Sequence, residues 1–236
     1  MTARLAALLL VCLCVGSLAG CGTSPPRAAT HVVRAGDTLY SIAWRNGLDY
    51  RDVASWNGIG RDYRIYPGQV LRLYPPGGRS GPPVASSRGS SAAGRPAAPP
   101  VVVPVPAARF VWAWPTDEGA YVVTERPNGG QGLTISGRVG QGIHAAGPGR
   151  VVYTGSGLLG YGQLVIIKHD DVYLSAYGHT QSVAVREGDE VRAGQRIATM
   201  GEGPGRTPML YFEIRVNGRP TDPLRFLPAR NASLQR

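Results

Sequence analysis

Few side chains in this chain could do chemistry: four histidines, three cysteines and fifteen carboxylates among 236 residues. His179 has hydroxyls near it, Ser175 and Ser182, but no Gly-x-Ser-x-Gly turn exposes either serine as a strained nucleophile. A serine triad is therefore not supported. Asp170-Asp171 reads most simply as a turn, and Glu213 could be no more than a buried hydrogen-bond acceptor. Of the cysteines, Cys12 and Cys14 fall in an N-terminal apolar stretch, so only Cys21 could remain in a processed chain, which then has no internal disulfide.

The elements that position these residues follow from composition. Gly 33 and Pro 20 exclude helical bundles and coiled coils and favour turn-rich β structure. The formal charge is +10, almost all arginine, with Lys168 as the one lysine. That balance suits an anionic partner. Arg4 precedes an apolar run, Leu5 to Leu18, which is too short to span a bilayer, where about 20 residues are needed. The stretch reads as an export signal over residues 1–20. Its ending, Leu18-Ala19-Gly20-Cys21, resembles the bacterial lipobox, which implies cleavage before Cys21 and lipidation of that residue. Gly22 in place of Asp implies, by the same resemblance, sorting to the outer membrane, with the chain facing the periplasm. Nucleic acid is then excluded as a partner. Residues 21–30 form a lipidated tether.

Residues 75–108 contain no acidic and no aromatic residue and consist mostly of Pro, Ala, Gly and Ser. Such a segment cannot bury enough apolar surface to fold, and it is expected to be a disordered linker reaching on the order of 100 Å. It separates two modules. In the first, residues 31–74, His31 to Arg34 opens as a strand and Asp37 or Thr38 caps a helix carrying Leu39, Ile42 and Ala43. A second helix covers Asp49 to Trp56 and ends at Asn57-Gly58; Tyr66-Pro67-Gly68-Gln69 turns into a closing strand, Val70 to Leu73. This βααβ order, with V-R-A-G-D-T-L-Y-S-I-A, W-N-G-I and I-Y-P-G-Q-V-L-R-L, resembles the LysM module. The resemblance implies binding of N-acetylglucosamine-containing glycan, here peptidoglycan, in a groove formed by Gly36, Asp37, Thr38, Asn57, Tyr66 and Pro67. Capping and turn roles for Asp37 and Asn57, and core roles for Trp44, Trp56 and Tyr66, stand beside that reading.

The second module, residues 109–228 with a tail at 229–236, reads as all-β. Short β-branched runs separated by glycine occur at Leu133–Ile135, Gly149–Tyr153, Gln163–Lys168, Tyr173–Ala176, Ser182–Val185, Arg196–Thr199 and Leu210–Arg215. Hairpin turns are expected at Gly188-Asp189-Glu190-Val191 and Val216-Asn217-Gly218-Arg219. The stretches G-R-V-V-Y-T-G-S-G, G-Y-G-Q-L-V-I-I-K-H, L-S-A-Y-G-H and F-E-I-R-V-N-G-R-P-T-D-P-L-R-F-L-P resemble the LytM or lysostaphin-type metallopeptidases of peptidoglycan. Active members of that family hold zinc through a His-x-x-x-Asp pair and a His-x-His pair, leaving one position open for the attacking water. By the flanking matches, those positions fall here at Gly130 and Thr134, and at Met209 and Tyr211. Only His179, in a Tyr-x-His segment with Tyr177, survives. His144 and His169 lie outside the metal motif, and His169 reads as a structural, hydrogen-bonded histidine.

Signal, LysM, linker and LytM in this order resemble the NlpD group of cell-division lipoproteins. The resemblance implies no catalytic residue, no metal and no cofactor, and a partner, a periplasmic N-acetylmuramoyl-L-alanine amidase, that the chain activates for septal splitting and daughter-cell separation. Gly130, Thr134, Tyr177, His179, Met209 and Tyr211 would line the groove that grips it; that Met209 and Tyr211 merely fill a vacated pocket is the alternative. A structural peptidoglycan-binding lipoprotein and an active endopeptidase are the other two functions the sequence leaves open.

Overall fold

The computed structural model describes residues 30–76, 108–125 and 130–230. The signal segment, Cys21 and most of the linker lie outside these residues.

The first module is built by its caps. Strand β1, Thr30–Val32, pairs antiparallel with β2, Val70–Arg72, and helices α1, Leu39–Asn46, and α2, Tyr50–Trp56, lie between them in sequence. Of the two candidate caps for α1, Thr38 takes the role: its hydroxyl accepts from the Ser41 amide at 3.1 Å, while Ser41 Oγ accepts from the Thr38 amide at 3.0 Å. Gly47, at φ 64°, ends the helix in the left-handed conformation that glycine adopts without strain. Asp49 caps α2. Val33, Leu39, Ile42, Ala43, Trp44, Tyr50, Val53, Ala54 and Leu71 form the buried interior, so Trp44 is a core residue, as one of its two readings held.

The second module is a sheet with both faces covered. Along its main path β10, Glu190–Val191, pairs with β6, Gly149–Gly155, then β7, Leu164–Lys168, β8, Tyr173–Gly178, and β12, Pro208–Val216. Beyond β12 come β4, Gln131–Ser136, and β3, Tyr121–Glu125, and β12 turns through Asn217-Gly218 into β13, Arg219–Thr221. Positive φ at both Asn217 and Gly218 gives the hairpin turn that the Asn-Gly pair predicts. A second layer of β5, Gly142–His144, β9, Thr180–Val183, and β11, Arg196–Glu202, packs on one face. Between the layers lie Leu133, Ile135, Val165, Ile167, Tyr177, Ile197, Met200, Leu210, Phe212 and Ile214.

The opposite face of the sheet is covered by the first module. Leu164, Ile166, Leu174, Ala176, Tyr161 and Tyr211 share one buried cluster with Ile42, Trp44 and Val53. This explains why Leu164-Val165-Ile166-Ile167 reads as a continuous apolar run, since a strand buried on both faces has no polar side to alternate. Trp44 meets Tyr161 edge-on at 6.2 Å between centroids, and Arg51 donates to the Asn217 side chain at 2.8 Å. At Gly218 the two modules approach so closely that a Cβ would lie 2.7 Å from the Asp49 Cα.

Candidate functional site

Register assembles one group of the expected site residues. Tyr211 on β12 stands opposite Thr134 on β4 and opposite Gly178 on β8, with Met209 opposite Ser136. Thr134, Met209 and Tyr211 thus meet on one face at the junction of three strands. Gly130 is buried just before β4. His179 joins from the β8–β9 junction, where its φ of 59° breaks the strand. Its amide donates to the Tyr161 carbonyl at 2.7 Å and its own carbonyl accepts from Gly201 at 2.8 Å, which fixes the backbone there.

Tyr177 does not belong to this group, and its expected place in the groove is corrected. Its ring packs between the two sheet layers with no exposed surface, and its hydroxyl accepts from the Ala146 amide at 2.8 Å. Burial pushes its pKa up to about 12. Successive strand residues point to opposite faces, so Gly178 facing the site obliges Tyr177 to face the interior. The Ser175 hydroxyl lies 2.9 Å from that of Tyr177 and 2.7 Å from His169 Nε2, while His169 Nδ1 is 2.7 Å from the Pro148 carbonyl. Phe110 and Trp112 flank the His169 ring. Burial lowers the His169 pKa to about 4, so it is neutral, with its proton on Nδ1 toward Pro148. It is the structural histidine that its sequence context indicates.

The polar groups of the site are engaged with protein partners. Thr134 Oγ1 lies 2.7 Å from Thr124 Oγ1. The Tyr211 and Tyr161 hydroxyls both donate to Glu213 Oε2, at 3.0 and 3.1 Å. Glu213 Oε1 accepts from Arg215 Nε at 2.6 Å, and both side chains are essentially unexposed. The Arg215 guanidinium lies 3.4 Å from the centre of the Trp44 ring and donates to the Trp44 carbonyl at 3.1 Å. Sequence reasoning missed Tyr161, Arg215 and this connection to the first module. Gly132 lies under Tyr211, where a Cβ would come within 2.5 Å of the hydroxyl. Among the described residues, no group of three or more His, Cys, Asp and Glu is arranged to hold a metal ion.

The residues expected to hold glycan divide into two sets. Asp37 and Thr38, with Leu39 and Tyr40, form one wall of a cleft of about 790 Å³. Residues 61–65 continue that wall, and residues 149–152, 168–170, Glu187, Gly188 and Glu190 of the second module face it. Burial would raise the Asp37 pKa, but hydrogen bonds from His31 at 2.8 Å and the Arg34 amide, together with Arg45, hold it below the usual value. Gly36, at φ 83°, makes the tight turn that aims Asp37. Asn57, Tyr66 and Pro67 do not line this cleft. Asn57 ties α2 to β2, bonding the Val53 carbonyl and both backbone groups of Arg72 at 2.7–2.8 Å. Tyr66 is 62% exposed.

A small capped βααβ module seated on a two-layered β domain defines a class, and comparison with known proteins agrees. The LysM domain matches residues 31–73, and peptidase family M23 matches residues 128–223. The chain belongs to the NlpD/LppB lipoprotein family. It is 39% identical to the lipoprotein NlpD/LppB homolog of Pseudomonas aeruginosa over 88% of this chain and 80% of that one. It is 36% identical to the murein hydrolase activator NlpD of Escherichia coli K12, over 86% of this chain and 68% of that protein. The lipoprotein YgeR of the same organism is 37% identical over 95% of this chain and 90% of its own. Among solved structures, the lysostaphin catalytic domain of Staphylococcus simulans is 28% identical, covering 46% of this chain and 86% of that one at a TM-score of 0.40. A zinc-containing peptidase from Vibrio cholerae, of which this chain covers 39%, gives 0.42.

Proposed function

We propose that this protein is an outer-membrane lipoprotein, anchored through Cys21, that binds peptidoglycan through its LysM module and activates a periplasmic N-acetylmuramoyl-L-alanine amidase without hydrolysing bonds itself. What supports the reading is the chemistry of the residues at the positions where the sequence resemblance puts the metal ligands of an M23 peptidase. Glycine at 130 offers no ligand, Thr134 is paired with Thr124, and the Tyr211 hydroxyl is spent on Glu213. The thioether of Met209 is a poor ligand for zinc beside a neutral threonine and tyrosine. This donor set does not fit the zinc ion of an M23 peptidase. The relatives named murein hydrolase activators support the activator role. Export and anchoring are supported by relatives named outer membrane antigenic lipoprotein B in Haemophilus influenzae and Histophilus somni. Gripping an amidase changes its activity only if the open form is bound more tightly than the closed one.

The test uses residues 22–236, because the first module covers one face of the second and both are needed for the native surface. Labelled sacculi are incubated with this chain, with and without an amidase from the same organism. No release by the chain alone and faster release with the amidase is the expected result. Chelator-sensitive release by the chain alone would overturn it, and no effect in either tube would leave a structural lipoprotein.

A further inference from the structure

The two-stranded sheet of the first module has one face that its folding does not use. Register sets Thr30 opposite Arg72, His31 opposite Leu71 and Val32 opposite Val70. Side chains alternate between the faces of a strand, so Val33 and Leu71 turn inward into the cluster of Leu39, Ile42 and Val53. Thr30, Val32, Val70 and Arg72 then point outward, and Arg34, two residues beyond Val32, is exposed on that side. A strand pair with water on one face carries polar residues there. Here the two facing outward positions are both valine, 54% and 59% exposed. The Arg72 guanidinium lies 5.4 Å from the centre of the Tyr74 ring. Residues 30–34 and 68–74 include no acidic side chain. Asp37, the carboxylate that follows, is already engaged by His31, the Arg34 amide and Arg45. None of Val32, Arg34, Val70 and Arg72 lines the cleft between the modules.

What lies beside this face follows from where the chain arrives. Thr30 follows Cys21 by nine residues, a length that reaches roughly 30 Å at most. With Cys21 held in a bilayer, the face stays within that distance of the headgroups. A phospholipid leaflet offers phosphates to arginine and a shallow acyl boundary to valine, and tyrosine favours the same depth. So small a face binds weakly in free solution, but a short tether raises its effective concentration to about millimolar or above. We propose that the outward face of β1 and β2, through Val32, Arg34, Val70 and Arg72, docks on the phospholipid leaflet in which Cys21 is anchored. This rests on the reading of Cys21 as an anchor and adds to it a fixed orientation of the first module on the membrane.

Residues 21–236, whose one thiol is Cys21, are joined through it to maleimide lipid in vesicles of phosphatidylethanolamine and phosphatidylglycerol. Hydrogen exchange is compared with the same chain joined to a soluble maleimide. Residues 30–34 and 70–74 are expected to exchange at least about threefold more slowly on the vesicle, with β3 unchanged. Val32→Ser with Val70→Ser, and Arg34→Gln with Arg72→Gln, are each expected to remove most of that protection, each variant being compared with its own soluble conjugate. All four positions are exposed, so these changes leave the core in place. Equal exchange on and off the vesicle overturns the proposal, as does protection that survives in both double variants. Protection already present in the soluble conjugate and lost on dilution also overturns it, because a second copy then covers the face. Labelled palmitate entering the native chain in cells, but not Cys21→Ser, tests the anchor separately. The maleimide supplies an anchor whatever that result, so equal exchange refutes the docking alone, and absent palmitate refutes the anchoring on which it rests.

Discussion

Replacing Arg215 by methionine tests the packing of the two modules at its most demanding point. Arg215 and Glu213 are 1% and 0% exposed, and the wild-type pair satisfies itself: one carboxylate oxygen takes the guanidinium at 2.6 Å, the other takes the two tyrosine hydroxyls. Arg215→Met keeps an unbranched side chain under Trp44 but strands the carboxylate in the interior. Breaking a buried pair by removing one partner costs about 3–5 kcal/mol, most of it the unpaired charge left behind. The double change Glu213→Gln with Arg215→Met removes the charge and keeps an acceptor for Tyr161 and Tyr211. It is expected to recover at least half of the loss, because a neutral pair of similar volume is often no worse than the ion pair. Urea unfolding followed by tryptophan fluorescence reads both variants. A single variant within about 1 kcal/mol of wild type, or a double variant no more stable than the single, would refute the assignment of this network as a buried charge pair.

Two further outcomes follow. Because His169 is neutral in the folded chain with a pKa of about 4, against 6.5 when unfolded, the unfolded chain binds the extra proton first and stability falls as pH drops from 6.5 toward 4. His169→Gln is expected to flatten that dependence by up to about 3 kcal/mol, measured as urea stability at pH 7 and pH 4.5; an unchanged slope would contradict the assigned neutral state. Gly132→Ala sets a methyl 2.5 Å from the Tyr211 hydroxyl and 2.8 Å from the Phe212 carbonyl. It is expected to cost about 1–3 kcal/mol and to weaken amidase stimulation, which a stimulation assay beside an unfolding curve would check.

Much of the fold was legible because local signals agreed with one another. Both helices of the first module start at residues whose side chains cap them, and each expected strand of the second coincides with an observed one to within about three residues. Strands β3, β5 and β13 escaped because they carry little apolar alternation, and Glu190-Val191, read as part of a turn, pairs with β6. The sequence grouped Thr134 with Tyr211, which the register sets opposite each other, but it misplaced Tyr177. Tyr177 and His179 differ by two positions and share a face only if the strand continues between them. The left-handed backbone at His179 ends that parity. The covering of the sheet by the first module had one sequence signal, the unbroken run Leu164 to Ile167, whose two-sided burial demanded a second cover that the linker seemed to forbid.

The linker does not in fact oppose that cover. Closing even a fully flexible loop of that many residues costs only about 3 kcal/mol in entropy. Against it stand Leu164, Ile166 and Leu174, buried on the face that the first module covers, each worth about 1.5–3 kcal/mol if left exposed instead. The same exchange accounts for Glu213. A buried carboxylate needs donors, and Glu213 finds them in Tyr211, Tyr161 and Arg215. Arg215 in turn needs the carbonyl and ring of Trp44, a residue of the other module. The face that carries Thr134 and Tyr211 therefore shares one hydrogen-bonded and aromatic network with the LysM module, running from Trp44 through Tyr161 to Tyr211 at centroid spacings of 6.2 and 5.6 Å. Tyr211 is only 3% exposed beneath the first module, so a partner reaches this network only through surfaces to which both modules contribute, and any activity is best measured on the intact chain.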